Sequence, residues 1–153
     1  MARKNAFVKV SGDQFQNPGF IGWIKELSRE WHAVICIGGG TQVNEEFARR
    51  GFKTRFGPLG RETETLDERQ VARDILETNA AECEDLLAGQ SVYARVMIPV
   101  LDIGGVLCHV NGDEMVRTAY LGYDQLFIIT TPERLETKRQ IFADLPKVEV
   151  RAF

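Results

Sequence analysis

The residues of this chain best suited to bind an anion lie in three polar turns that contain glycine. The turns read Lys9-Val10-Ser11-Gly12-Asp13, Gly38-Gly39-Gly40-Thr41 and Asn111-Gly112-Asp113. Glycine lets a backbone approach a phosphate group closely, and the N–H groups at the start of a helix point towards the anion. These turns therefore predict a site for phosphate or another small anion.

Two charged residues in these turns are candidates for chemistry. Lys9 lies near the end of the first apolar run and can place a compact positive charge beside phosphate oxygens. Asp113 can either orient that lysine or hold a magnesium ion. The chain contains neither G-x-x-x-x-G-K-[ST] nor G-x-G-x-x-G, so it lacks the two best-known single-loop phosphate signatures.

The elements that must position these turns alternate between strand and helix. Short apolar runs indicate strands at residues 6–10, 33–37, 96–101, 106–110 and 125–130, and a final edge strand is predicted at residues 147–150. The run at residues 33–37 has no alternation, as expected for a parallel strand covered on both faces. Helices are predicted to begin at the cap residues Asn17, Thr41 and Thr65, and further helices over 113–122 and 132–143. This order predicts a single α/β domain over residues 1–153, a three-layer sandwich with a mainly parallel sheet. Ligands of such sheets bind beyond the carboxyl ends of the strands, where the three turns fall.

Five segments follow one another in an order typical of one family. Residues 7–13 carry a strand with a Lys-x-[Gly/Ser]-Gly turn, and residues 34–44 carry a strand with a Gly-Gly-Gly turn. The other segments are residues 59–66, residues 98–100 with 110–113, and residues 121–131. Taken together, they resemble the amino acid kinase family, which includes acetylglutamate kinase and bacterial uridylate kinase. The resemblance implies a shortened member of that fold.

The resemblance also implies an activity and a set of site residues. The activity is transfer of a phosphoryl group from ATP, with Mg²⁺, to a small carboxylate or phosphate acceptor. Lys9, Asp113 and Lys138 would be catalytic, with Asp113 organising the lysines, whereas Arg61 would grip a substrate carboxylate and Asn111 would help to hold the substrate. The phosphate- and nucleotide-binding residues would be Ser11, Gly12, Gly38, Gly39, Gly40, Thr130 and Thr131. No residue is assigned to a metal.

Two features leave a second function open. Members of the family are usually longer, and Thr131-Pro132-Glu133-Arg134-Leu135 stands where they often carry an Asp-Gly-Val-Tyr-like stretch. The alternative is a non-catalytic relative that binds a small anion or a nucleotide, or that serves as a regulatory subunit. The helix that begins at Thr65 corresponds to the one that pairs subunits in acetylglutamate kinase relatives. It predicts a homodimer, unless its apolar stripe only covers the sheet.

Composition excludes several other classes of function. The 153 residues include 19 Lys and Arg against 22 Asp and Glu, a net charge of −3, so no basic excess exists to displace counterions from nucleic acid. The longest apolar runs, residues 33–37 and 96–101, are too short to span a bilayer. No apolar signal region precedes the first strand, which favours a cytoplasmic location. The expected partner is a small-molecule acid or a nucleotide.

Overall fold

The computed structural model describes residues 2–153, which contain both strands and helices. In chain order the elements are β1 (Lys4–Val10), α1 (Pro18–Glu30), β2 (Trp31–Ile37), α2 (Gly40–Arg50), β3 (Phe56–Gly57), β4 (Gly60–Arg61), α3 (Leu66–Gly89), β5 (Arg95–Met97), β6 (Val100–Ile103), β7 (Val106–His109), α4 (Gly112–Ala119), β8 (Gln125–Thr130), a 3-10 turn (Pro132–Arg134), α5 (Leu135–Ile141) and β9 (Val148–Ala152). Within these residues, no helix is both long enough and apolar enough to cross a membrane.

Five strands of the described chain form one parallel sheet in the order β5-β2-β1-β8-β9. The central strand β1 pairs with β2, where Val8 lies opposite Ile35, and with β8, where Val8 lies opposite Phe127. Parallel neighbours need crossover connections, which the helices supply. The prediction of an α/β fold with a mainly parallel sheet is therefore confirmed.

Helices cover both faces of the sheet because successive residues of its strands point to opposite sides. On one face Val8 and Ile35 pack with Phe20 and Ile24 of α1 and with Leu87 of α3. The other face has its own core, which joins α4 and the end of α5 to the sheet through Phe7, Cys36, Met115, Val116 and Phe142. The sheet thus lies between two layers of helices.

Two of the three predicted helix starts are the observed ones. Asn17 caps α1, since its side-chain oxygen accepts from the Gly19 N–H at 2.8 Å. Thr65 caps α3, but the prediction for Thr41 is wrong. The cap of helix α2 is Gly39, two residues earlier, and the Thr41 hydroxyl donates to Asp13 at 2.9 Å instead of capping the helix. A tertiary hydrogen bond, in which Thr41 donates, has replaced the local capping bond, in which it would accept.

The predicted strand over residues 96–101 is divided in the structure. Strand β5 ends at Met97, and β6 begins at Val100 as one arm of an antiparallel hairpin with β7. Pro99 separates them because it has no N–H to donate to a sheet ladder. The predicted helix over 132–143 likewise begins as a 3-10 turn at Pro132 and becomes α-helical only at Leu135.

Removing the cap of α3 should destabilise the protein measurably. The Thr65 hydroxyl accepts from the Glu68 N–H at 3.1 Å, and the Glu68 carboxylate accepts from the Thr65 N–H at 3.1 Å. We expect Thr65→Ala to lower the free energy of unfolding by about 1 kcal/mol, measured by urea denaturation. The control is Thr78→Ala on the exposed face of the same helix, where a change within about 0.5 kcal/mol is expected. Equal losses in both variants would contradict the capping role.

Candidate functional site

The three glycine-containing turns meet around one cleft. The first turn contributes Lys9 and Ser11, the second contributes residues 38–40, and the third contributes Asn111 and Gly112 to a volume of about 250 Å³. Strands β1 and β2 end side by side, with Val10 opposite Ile37, so the first two turns emerge together. The third turn reaches them because α4, which it begins, packs against the same sheet.

Asp113 lies between two ammonium groups. Its Oδ1 is 3.6 Å from Lys9 Nζ, and its Oδ2 accepts a hydrogen bond from Lys138 Nζ. The three side chains come from β1, from the first turn of α4 and from α5, and they are 14–21% exposed. Two cations against one anion leave an excess positive charge at the edge of the cleft.

The environment of Lys9 weakens its hold on the proton. Burial lowers the pKa of Lys9 from its ordinary value, the Asp113 carboxylate opposes that shift, and Lys138 adds to it. An additional anion beside Lys9 would favour the protonated form in the way that Asp113 does. The site is therefore electrostatically suited to receive negative charge.

Close packing explains a glycine in the third turn. A Cβ at Gly112 would lie 2.6 Å from Cε of Lys9, so the lysine stem occupies the space of the missing side chain. The preceding residue, Asn111, caps α4 through its side-chain oxygen, which accepts from the Asp113 N–H at 2.9 Å. Its own N–H donates to the Leu59 carbonyl at 2.7 Å. Asn111 thus fixes Asp113 as well as lining the cleft.

The β3–β4 hairpin brings Arg61 to the cleft. Gly60 has a φ of +141°, and a Cβ there would lie 2.6 Å from the Asn111 nitrogen, so only glycine lets the hairpin approach the third turn. The Arg61 guanidinium carbon lies 5.1 Å from the ring centre of Phe47 and 4.7 Å from that of Phe56. The guanidinium therefore packs against two aromatic rings.

One donor of Arg61 is left without a partner. Its Nη2 donates to Asn44 Oδ1 at 2.7 Å, but its Nη1 is buried and has no hydrogen-bond partner in the described part of the chain. Burial lowers the pKa of Arg61, yet a guanidinium stays charged at neutral pH. An unsatisfied buried donor is unfavourable, and an anionic ligand that reached this group would supply the missing acceptor.

His109 lines the cleft and was missed by the sequence analysis. Its Nε2 is 3.0 Å from the Arg69 carbonyl oxygen, which can only accept, so Nε2 carries the proton and Nδ1 is left as an acceptor. Burial lowers the pKa of His109, and the positive charges of nearby arginines lower it further. The imidazole is therefore neutral at pH 7. In the sequence, the one feature that points to a role for His109 is its position two residues before Asn111.

Some predicted site residues lie elsewhere. Gly12 faces a neighbouring open cleft, where it packs so closely that a Cβ would lie 2.7 Å from the Gly38 carbonyl oxygen. Thr130 and Thr131 do not line the cleft; Thr130 is the buried last residue of β8, and Thr131 precedes the 3-10 turn. Lys138 is connected to the cleft through Asp113.

The second turn offers a matched test of packing. A Cβ at Gly39 would lie 2.5 Å from Nδ2 of Asn79, which donates to the Gly38 carbonyl at 3.2 Å, whereas a Cβ at Gly40 would meet nothing within 4 Å. We expect Gly39→Ala to lower the free energy of unfolding by about 1–3 kcal/mol. Gly40→Ala should change it by less than about 1 kcal/mol. Chemical denaturation of both variants checks this, and equal stabilities would refute the close contact.

No protein-family model matches this chain, and no curated protein matches it. Residues 2–153 also contain no group of three or more His, Cys, Asp or Glu side chains placed to hold a metal ion. The interpretation of the cleft therefore depends on its geometry and charge.

Proposed function

We propose that this protein transfers a phosphoryl group from ATP to a small acid, as a member of the amino acid kinase family. The observation that carries the proposal is the placement of Lys9 and Lys138 on either side of the Asp113 carboxylate, beside the glycine turn. Negative charge spreads over the oxygens of a phosphoryl group during transfer. Fixed positive groups that face this charge lower the barrier.

The start of α2 supports phosphate binding at the same place. Its cap residue, Gly39, has no side chain that could bond the first N–H groups of the helix. The space beside Gly40 is open, since a Cβ there would meet nothing within 4 Å. The first N–H groups of a helix have no partners within the helix, so they are available to an anion. Backbone donors and the Lys9 ammonium would together orient the phosphoryl group, which is the main task in this chemistry.

Magnesium would enter with the nucleotide. Proteins usually hold this ion through one or two carboxylates and the phosphates of the substrate rather than through a complete protein cage. Of the two roles open to Asp113, the contacts with Lys9 and Lys138 favour orientation of the lysines. When bound, Mg²⁺ would supply further neutralisation of phosphate charge.

A second candidate is binding of a small anion or nucleotide without catalysis, including a regulatory role. It is favoured by the position of Thr130 and Thr131, which were predicted to bind nucleotide but do not line the cleft. Both candidates use the same charged groups, so turnover has to distinguish them.

Addition of ATP and Mg²⁺ tests both candidates. A ligand that binds only the folded state stabilises it, by about 2.7 kcal/mol at a concentration of 100 times its Kd. We therefore expect millimolar ATP to raise the melting temperature, and ADP to form only when an acid acceptor is added. No thermal shift would exclude the kinase. A shift without ADP formation from any acid would favour the binding protein.

The proposed homodimer would pair its two subunits through helix α3. Its apolar stripe, including Val71, Leu76 and Leu87, is buried in the cores of its own chain. A pairing of two copies through this helix would therefore use its remaining surface, on which Leu66 is 59% exposed. Gel filtration tests the dimer, and a monomer at high concentration would refute it.

A further inference from the structure

The body of the cleft is apolar. Its walls are formed by Val43, Phe56, Ala72, Leu76, Pro99 and Val110. They come from α2, α3 and the two hairpin regions, so an apolar surface surrounds the space next to Arg61 and Lys9. Apolar walls favour an apolar ligand, because burying its surface removes it from water. The volume of about 250 Å³ lies below the roughly 300–1,000 Å³ of common ligand pockets, so the occupant is small.

The charged groups of the cleft are of one sign. Among the lining residues that the structure describes, Lys9 and Arg61 are cationic, and none is aspartate or glutamate. The nearby Asp113 carboxylate is already neutralised by two lysines, although its Oδ1, 3.6 Å from Lys9 Nζ, accepts no hydrogen bond in the described chain. His109 is neutral and offers an acceptor nitrogen but no charge. An ammonium group on the ligand would therefore be buried beside two cations, and no carboxylate among the lining residues would pair with it. Such burial is strongly unfavourable.

We propose that the acceptor is a small acid with an apolar body that carries no ammonium group, held by the unpaired Nη1 of Arg61. This inference rests on the proposed function, because it names the acceptor for that reaction. It disfavours free α-amino acids and includes short branched carboxylic acids and short alkyl phosphates. The shared chemistry is an anionic head on an apolar body, and the head is either a carboxylate or a phosphate.

Matched pairs of probes test the inference. Leucine is 4-methylpentanoate with an added α-ammonium group, and 2-aminoethyl phosphate is n-propyl phosphate with an ammonium in place of the terminal methyl. We expect the ammonium-free member to bind about tenfold or more tightly in at least one pair, measured by calorimetry or ligand-detected NMR at neutral pH. Which pair responds identifies the head group. Equal affinities in both pairs, or no binding of any probe, would overturn the inference.

The role of Arg61 is tested in the same assay. Arg61→Met should weaken binding of the preferred probe by about tenfold or more, because a charge-assisted hydrogen bond is lost. The control is Arg29→Met, which removes an exposed arginine on α1 that pairs with Glu26 at 2.6 Å and should leave the affinity unchanged. Equal effects of the two variants would overturn the assignment of Nη1. Circular dichroism and the melting temperature establish that Arg61→Met is folded before its affinity is compared.

ADP release separates this inference from the proposed function. If the ammonium-free acid binds selectively but no ADP forms with ATP and Mg²⁺, phosphoryl transfer is refuted while the ligand class stands. If ADP forms with equal kcat/KM from both members of each pair, the kinase stands and the ligand class is refuted. The two hypotheses therefore fail in different measurements.

Discussion

Replacing Lys9 by methionine is expected to lower kcat for phosphoryl transfer by about 10²–10³-fold while the protein stays folded. Methionine keeps most of the unbranched stem that passes Gly112 but removes the ammonium that lies 3.6 Å from Asp113. The lost charge acts on the transferring phosphoryl group, so the effect should appear in kcat more than in KM for the acid. Steady-state ADP formation measures both constants.

The same strand supplies the control for this variant. Lys4 lies at the opposite end of β1, where it is exposed and its ammonium stands 5.5 Å from the ring centre of Trp31. Lys4→Met makes the same chemical change far from the cleft, so turnover should stay at the level of the unmodified protein. Unchanged turnover in Lys9→Met, with the fold intact, would refute the role of Lys9.

Replacing Asp113 by asparagine is expected to move the high-pH limit of activity by about one pH unit or more towards lower pH. Lys9 must be protonated to carry its charge, so activity is lost as the pH rises through the pKa of Lys9. Burial already lowers that pKa, and the Asp113 carboxylate partly opposes the shift. Without this carboxylate the pKa falls further, and the loss of activity begins at a lower pH.

The pH profile distinguishes this effect from simple destabilisation. A variant that is only less stable loses activity at all pH values, whereas the loss of Asp113 should also displace the basic limb of log kcat against pH. Asp144→Asn is the control, because Asp144 is an exposed carboxylate that follows α5. A basic limb at the same pH in Asp113→Asn and in the unmodified protein would refute the coupling between Asp113 and Lys9.

Local features of the fold were accessible from the sequence. The runs at residues 6–10, 33–37 and 125–130 are mainly apolar, and most residues of their strands are buried. The caps at Asn17 and Thr65 use partners within three residues. Such interactions depend on short spacings along the chain, so the residue types alone indicate them.

Two predictions of local structure, the helix cap at Thr41 and the single strand over residues 96–101, were wrong. Thr41 has the residue type of a helix cap, but its hydroxyl donates a hydrogen bond to Asp13, 28 residues away. The apolar run at residues 96–101 indicated one strand, although Pro99 within it carried the opposite signal. The apolar character of the run does not show that the missing N–H of Pro99 ends the strand there. The hairpin of β6 and β7 was consequently not predicted.

By itself, the sequence determined an alternation of strands and helices and three glycine turns that suit an anion, because these depend on local propensity and on backbone freedom. The tertiary structure alone decided that Asp113 contacts both Lys9 and Lys138, since these residues lie on three separate elements. It also placed the Arg61 guanidinium against Phe47 and Phe56 and left its Nη1 unpaired within residues 2–153. Distances between residues far apart in the chain follow from the order of the strands and the packing of the helices, which no local pattern encodes.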